Sequence, residues 1–180
     1  MTRINWLQPY SVEKNIGREY NRLISLMPDG EWIGITDHDA MFLRPDSKAQ
    51  ISDIITRHGH EFDVFGVLTN RLYGWHQQYN GFSEDPDVNN HVQIANDCHS
   101  SNYGQVVETN VNIAGLCMVF SKSTWDRVGG FAEGSITLDK DFTDAVMRTG
   151  GRLAIMTGVY MFHLYRWGQS DPTRYKDHLV

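Results

Sequence analysis

Two carboxylates, Asp37 and Asp39, flank His38 at the end of the run Glu31-Trp32-Ile33-Gly34-Ile35-Thr36. That run reads as a buried strand, so the pair emerges where a strand stops. Open α/β sheets hold their ligands just beyond the carboxyl ends of their strands. Two carboxylates this close repel each other and any phosphate, unless a divalent cation lies between them. The alternative is a plain turn, because Asp is favoured in turns and caps after a strand. Two further positions carry related chemistry. In Leu138-Asp139-Lys140-Asp141 the carboxylates fall at the start of a helix, where its unpaired N–H groups favour them and capping accounts for at least one. His163 lies in the apolar run Tyr160-Met161-Phe162-His163-Leu164, where an imidazole is either a ligand or a satisfied core group.

The elements that must position these groups follow from periodicity. Arg3 to Leu7 reads as a short strand stopped by Pro9. Ile16, Tyr20, Leu23, Ile24 and Met27 fall on one helical face, and Pro28-Asp29-Gly30 ends that helix. After the strand carrying the Asp pair, Pro45-Asp46-Ser47 opens a helix whose inner face is Ile51, Ile54, Ile55 and His58. Phe62 to Leu68 is a strand. From 73 to 105 no period is visible, and the stretch reads as an irregular functional loop or lid, or else as an element whose pattern does not show. Strand character resumes from Val106 to Phe120, interrupted at Gly115. A short helix at Ser123–Val128 is stopped by Gly129-Gly130. A longer one has Phe142, Ala145, Val146 and Thr149 inside and Gly150 at its C-terminal cap. Leu153 to Met156 and Tyr160 to Leu164 are the last strands. This alternation predicts one α/β domain over residues 1–180, a sandwich with a central mixed sheet flanked by helices.

Composition bounds the function. A chain of 180 residues with 41% hydrophobic side chains can bury one core. Its net charge of -6 and the lack of a Lys/Arg-rich run disfavour a nucleic-acid surface. Cys98 and Cys117 form no C-x-x-C pair and read as buried, idle thiols. No apolar run is long enough for a membrane span, and Met1 to Tyr10 lacks the apolar core of a signal peptide, so the expectation is a cytoplasmic protein.

The order of these motifs resembles the GT-A glycosyltransferases of the family-2-like kind. The matching segments are Asp37-His38-Asp39, Gly129-Gly130-Phe131-Ala132-Glu133, Asp139, Arg148-Thr149-Gly150-Gly151-Arg152-Leu153 and the late His163. Upstream, Asn15-Ile16-Gly17-Arg18-Glu19-Tyr20-Asn21 and Leu7-Gln8-Pro9-Tyr10 resemble the Asn segment and the end of the base-binding strand. The resemblance implies a Rossmann-like GT-A sandwich and a metal-dependent transfer from a nucleotide-sugar, a UDP-sugar first, to the hydroxyl of a glycan, lipid-linked sugar or protein. Asp39 and His163 would bind Mn²⁺, or Mg²⁺ in its place, and Asp37 would bind it through water or else hold a ribose hydroxyl. Asp139 would be the catalytic base of an inverting reaction. Pro9, Tyr10, Arg18, Asn21, His38 and Arg166 would line the donor, Arg166 being alternatively a surface ion-pair partner. Gly115 and Trp75 would lie on the acceptor side. Two departures stand out. Tyr10 and Asn21 nearly adjoin, so the nucleotide-binding half is short. Leu138 also occupies the place of the usual acidic residue before the base. Two other readings share the Asp pair. A non-catalytic nucleotide-sugar binder, or a subunit of a larger complex, would bind without turnover. A haloacid-dehalogenase-type phosphatase would need a hydroxyl residue where Met41 stands.

Overall fold

Asn15 sets the start of the first helix: its side-chain oxygen accepts the Arg18 N–H at 3.1 Å, satisfying a donor that the first helical turn leaves over. In the computed structural model, which describes residues 1–72 and 74–164, strand β1 (Ile4–Leu7) thus leads into helix α1 (Ile16–Ile24). The helix buries Gly17, Tyr20 and Ile24 and stops short of Met27. Next come β2 (Trp32–Thr36), β3 (Ala40–Phe42), α2 (Ser47–His58) and β4 (Val64–Thr69). A single 3-10 turn at Trp75–Gln77 precedes α3 (Val88–Asn102) and β5 (Val106–Thr109). The chain continues through β6 (Cys117–Ser121), α4 (Lys122–Val128), α5 (Leu138–Arg148) and β7 (Leu153–His163).

The strands form one mixed, seven-stranded sheet in the order β1-β2-β6-β4-β7-β3, with β5 also pairing with β7. β1 and β2 are parallel, as are β4 and β7, whereas β6 runs antiparallel to both neighbours, β2 and β4. Helices cover both faces. α1 and α5 bury Tyr20, Ile24, Phe142 and Val146 against Ile33, Ile35, Met118 and Phe120. α2 buries Ile51, Ile54 and Ile55 against Phe65, Val67, Cys117 and Val119 on the other side. The expected α/β architecture with a mixed sheet between helices is therefore present. Both cysteines are buried and unpaired. Among the described residues no helix is long and apolar enough to cross a membrane.

Four expectations need correction. The stretch 73–105 is not an irregular loop throughout, because α3 occupies its second half. Its buried positions are His91, Ala95 and Cys98, a helical spacing that carries little hydrophobic signal. His91 Nδ1 lies 2.7 Å from the Tyr160 hydroxyl and its Nε2 lies 2.8 Å from the Asp85 carbonyl, so polar contacts pin the helix to β7. The two predicted final strands are one strand of 11 residues. Its register against β4 shifts between Val67 and Leu68, so an irregularity that reads as a break is absorbed as a bulge. Within 106–120 the break expected at Gly115 comes earlier: β5 already ends at Thr109, and β5 and β6 pair with different neighbours. Finally, β3 is a strand that local pattern did not reveal, three residues held by pairing with β7.

Candidate metal and catalytic site

The Asp pair leaves β2 in a turn tied to three neighbours. The Asp37 N–H donates to the Leu116 carbonyl at 3.1 Å. The Asp37 carbonyl accepts from Gln8 Nε2 at 2.9 Å and from the Ala40 N–H at 3.4 Å. The chain then enters β3, whose first residue, Ala40, is paired with His163 of β7. The Leu164 N–H donates to the Asp39 carbonyl at 2.9 Å and closes this ladder. Strand pairing thus sets His163 beside Asp39 across more than a hundred residues of chain. Its Nε2 lies 3.4 Å from Asp39 Oδ1. One ligand atom from each of Asp37, Asp39 and His163 falls within 4.8 Å of the others.

The surroundings of His163 fix the orientation of its ring. The residue is buried, its N–H donates to Asn70 Oδ1 at 2.8 Å, and its Nδ1 lies 2.9 Å from the Arg71 carbonyl. A carbonyl only accepts, so Nδ1 carries a proton, and Nε2 is the nitrogen turned toward Asp39. A backbone carbonyl fixing the tautomer from behind is the usual support for a metal-binding imidazole. Two carboxylates and an imidazole suit Mn²⁺, whereas Mg²⁺ prefers oxygen alone. The donor set therefore fits a divalent cation.

The two carboxylates differ electrostatically. Burial pushes Asp37 up to about 6; Asp39 and Asp139 push the same way, and His163 and His38 oppose them. Burial also pushes Asp39 upward. There the hydrogen bond and charge of His163, with help from its own backbone N–H and from His38, prevail and hold it below the usual carboxylate range. A cation seated among these groups would relieve the Asp37 charge directly.

Asp139 stands at the start of α5 and faces the same region, close enough to raise Asp37. Its Oδ2 accepts the Gly115 N–H at 2.8 Å and its Oδ1 the Lys140 N–H at 2.8 Å. A Cβ at Gly115 would sit 3.3 Å from Asp139 Cβ, a tight contact. Asp141 has a different occupation. Its Oδ2 accepts from the hydroxyls of Ser135 and Thr137 at 3.0 and 3.1 Å, which stabilises the turn that enters α5.

The remaining expected residues divide. Pro9 is buried and Tyr10 is 78% exposed at the end of β1, and His38 is exposed beside the pair. Trp75 is 77% exposed on its 3-10 turn. Arg18 is half-exposed and ion-paired with Glu13 at 2.8 Å and Glu19 at 3.6 Å. It lines a shallow surface pocket of about 370 Å³ with Asn21, Trp125 and Glu133, which no member of the Asp37–Asp39–His163 cluster touches. Asn21 is engaged in holding the fold. Its Oδ1 accepts the Phe131 N–H at 2.8 Å and the Trp125 indole N–H at 3.2 Å, and its Nδ2 donates to the Phe131 carbonyl at 2.9 Å. The amide thus pairs like a strand with the Gly129-Gly130-Phe131 turn. Arg166 lies outside the described residues. Three contributors escaped sequence reasoning: Gln8 and Arg71, each bonding once to the Asp37 carbonyl or the His163 ring, and Asn70, whose amide bonds both the N–H and the carbonyl of His163. Only the position of Asn70 and Arg71 just past the β4 strand end hinted at them.

No family model matches this chain, and no match to it was found among curated proteins.

Proposed function

We propose that this protein is a metal-dependent glycosyltransferase of GT-A type that moves a sugar from a nucleotide-sugar, most simply a UDP-sugar, to an acceptor hydroxyl with inversion. The observation that carries the reading is the convergence of Asp37, Asp39 and His163, ligand atoms within 4.8 Å, with Asp139 facing the same strand ends. The sheet supports it too: β1 runs parallel to the strand bearing the Asp pair, and an antiparallel strand lies on that strand's other side.

A divalent cation at the cluster would offset the charge that develops on the nucleoside diphosphate as it leaves. Asp39 and His163 would supply its anionic and imidazole ligands, and Asp37 would hold it through water or else hold a ribose hydroxyl. Asp139 accepts the acceptor hydroxyl's proton while that oxygen forms its bond to the anomeric carbon and the diphosphate departs with the old bond's electrons. The Gly115 N–H, bonded to Oδ2, orients that carboxylate. Pro9 and Tyr10 at the end of β1 lie on the side of the nucleotide base.

A second reading, a nucleotide-sugar binder without turnover, draws on the edge position of β1, which leaves the base side short. The test that separates the two has two stages. Calorimetric titration of UDP, GDP, CDP and ADP with and without Mn²⁺ should give metal-dependent binding, strongest for UDP. Release of UDP from UDP-sugars, into water or onto added saccharides, should then follow. Binding without release would favour the binder, and absence of metal-dependent nucleotide binding would remove both readings.

A further inference from the structure

Neighbouring residues in the turn at Trp75–Gln77 are buried the wrong way round. Trp75, the larger apolar side chain, is 77% exposed. Both ring nitrogens of His76 are buried, and among the described residues neither makes a hydrogen bond of good geometry. Burial holds the His76 imidazole below its ordinary range; a poorly aligned hydrogen bond to the Asn112 backbone opposes this in part. The two rings meet edge to face with centroids 6.3 Å apart. An exposed indole over an unsatisfied imidazole is the unfavourable arrangement for both groups in water.

The turn is nonetheless firmly placed. Gln77 is fully buried; its Oε1 accepts the Ala114 N–H at 2.9 Å and its Nε2 donates to the Val67 carbonyl at 3.1 Å. Ala114 adjoins Gly115, whose N–H holds Asp139. The turn is therefore anchored one residue away from the group that orients the proposed base. Its mismatch is local to two side chains.

We infer that Trp75 and His76 form the acceptor subsite and that the acceptor is a carbohydrate: the apolar face of a sugar ring stacks on Trp75, and a hydroxyl of that ring engages a nitrogen of His76. A sugar satisfies both groups at once, since it presents C–H faces and hydroxyl edges on one rigid ring. An acyl chain would cover Trp75 and leave His76 as it is. The His76 ring turns outward as the sugar seats, because its nitrogens lie below the surface in the free protein. The word acceptor rests on the transferase reading; the saccharide subsite is measurable without turnover.

The test uses the whole chain with UDP and Mn²⁺ present. The probes are methyl glycosides of glucose, galactose, mannose and N-acetylglucosamine, and the disaccharides cellobiose, lactose and maltose. Calorimetry measures affinity, and acrylamide quenching of tryptophan emission shows whether Trp75 is covered. At least one saccharide should bind and reduce quenching. Trp75→Ala should weaken that binding about tenfold or more. His76→Leu should weaken it about threefold or more while raising the melting temperature, because it deletes an unsatisfied buried group. A purely structural histidine would not separate those two signs. The inference is overturned if no saccharide binds, if Trp75→Ala leaves affinity unchanged, or if His76→Leu melts lower or binds as the parent does. Nucleotide binding is scored separately. Saccharide binding without metal-dependent UDP binding would uphold the subsite and remove the transferase reading, and the reverse result would remove the subsite alone.

Discussion

Replacing Asp37 by Asn should make the metal-free protein more stable while weakening its response to Mn²⁺. The carboxyl is harder to ionise in the fold, at about 6, than its ordinary value of 3.8, with burial as the main cause and Asp39 next. Below the lower value it is protonated in folded and unfolded chains alike and costs nothing. As pH rises through about 6 the folded state loses that advantage, and above it the fold carries an ionised, crowded carboxylate. The full difference corresponds to at most about 3 kcal/mol at neutral pH. Asn keeps the shape and cannot ionise, so at pH 7.5 the variant should melt higher by up to about 6–12 °C for a chain of this size. Differential scanning calorimetry in EDTA at pH 7.5 and again near pH 4 measures this, with the gain shrinking toward zero in acid. Added Mn²⁺ should then raise the parent's melting temperature by more than that of Asp37→Asn. A variant no more stable than the parent at pH 7.5, or a gain equally large near pH 4, would refute the electrostatic account of this site.

Asp39→Ala should abolish Mn²⁺-dependent UDP binding in calorimetry and His163→Ala should weaken it, both with the fold retained by circular dichroism. Unchanged binding in both would refute the metal assignment. Asp139→Asn should lower transfer by about 10²–10⁴ with donor affinity near the parent's, since the amide cannot take the proton; Asp141→Asn should change transfer far less, and steady-state rates of UDP release decide between them. Gly17→Ala should destabilise the protein, because a Cβ there would lie 2.3 Å from the Ala132 carbonyl oxygen; a melting temperature equal to the parent's would show that the two segments part without cost. Asn21→Leu should destabilise by about 2 kcal/mol or more, as buried partners in the Phe131 turn lose their hydrogen bonds, and chemical denaturation measures it.

Much of the site's frame was legible from local chemistry. The apolar run before Asp37 had to be buried, which put the carboxylates at a strand end whatever the partners of that strand were. The start of α5 around Asp139 and the stop at Gly150, which takes a φ of 80°, follow from capping rules that act within a few residues. The carboxylate of Asp141, expected to cap the helix or lie on the surface, instead accepts from the hydroxyls of Ser135 and Thr137 in the turn before α5.

What only the tertiary structure decided is which distant groups meet. His163 could be read as a core residue or as a ligand, and the choice turns on β3, three residues too short to carry a period, whose pairing with β7 seats His163 beside Asp39. Asn21 shows the opposite outcome: a residue expected to face a ligand instead holds the Phe131 turn, because an amide bonds equally well to a peptide group and a side chain's neighbours 110 positions away leave no trace in its own surroundings. α3 escaped notice because its buried face is His91, Ala95 and Cys98, held by hydrogen bonds and close packing more than by apolar bulk. Periodicity and capping report the solvent boundary and the backbone within a few residues. The pairing of strands, and with it the assembly of carboxylates and imidazole into one cluster, depends on contacts between segments that carry no such local signal.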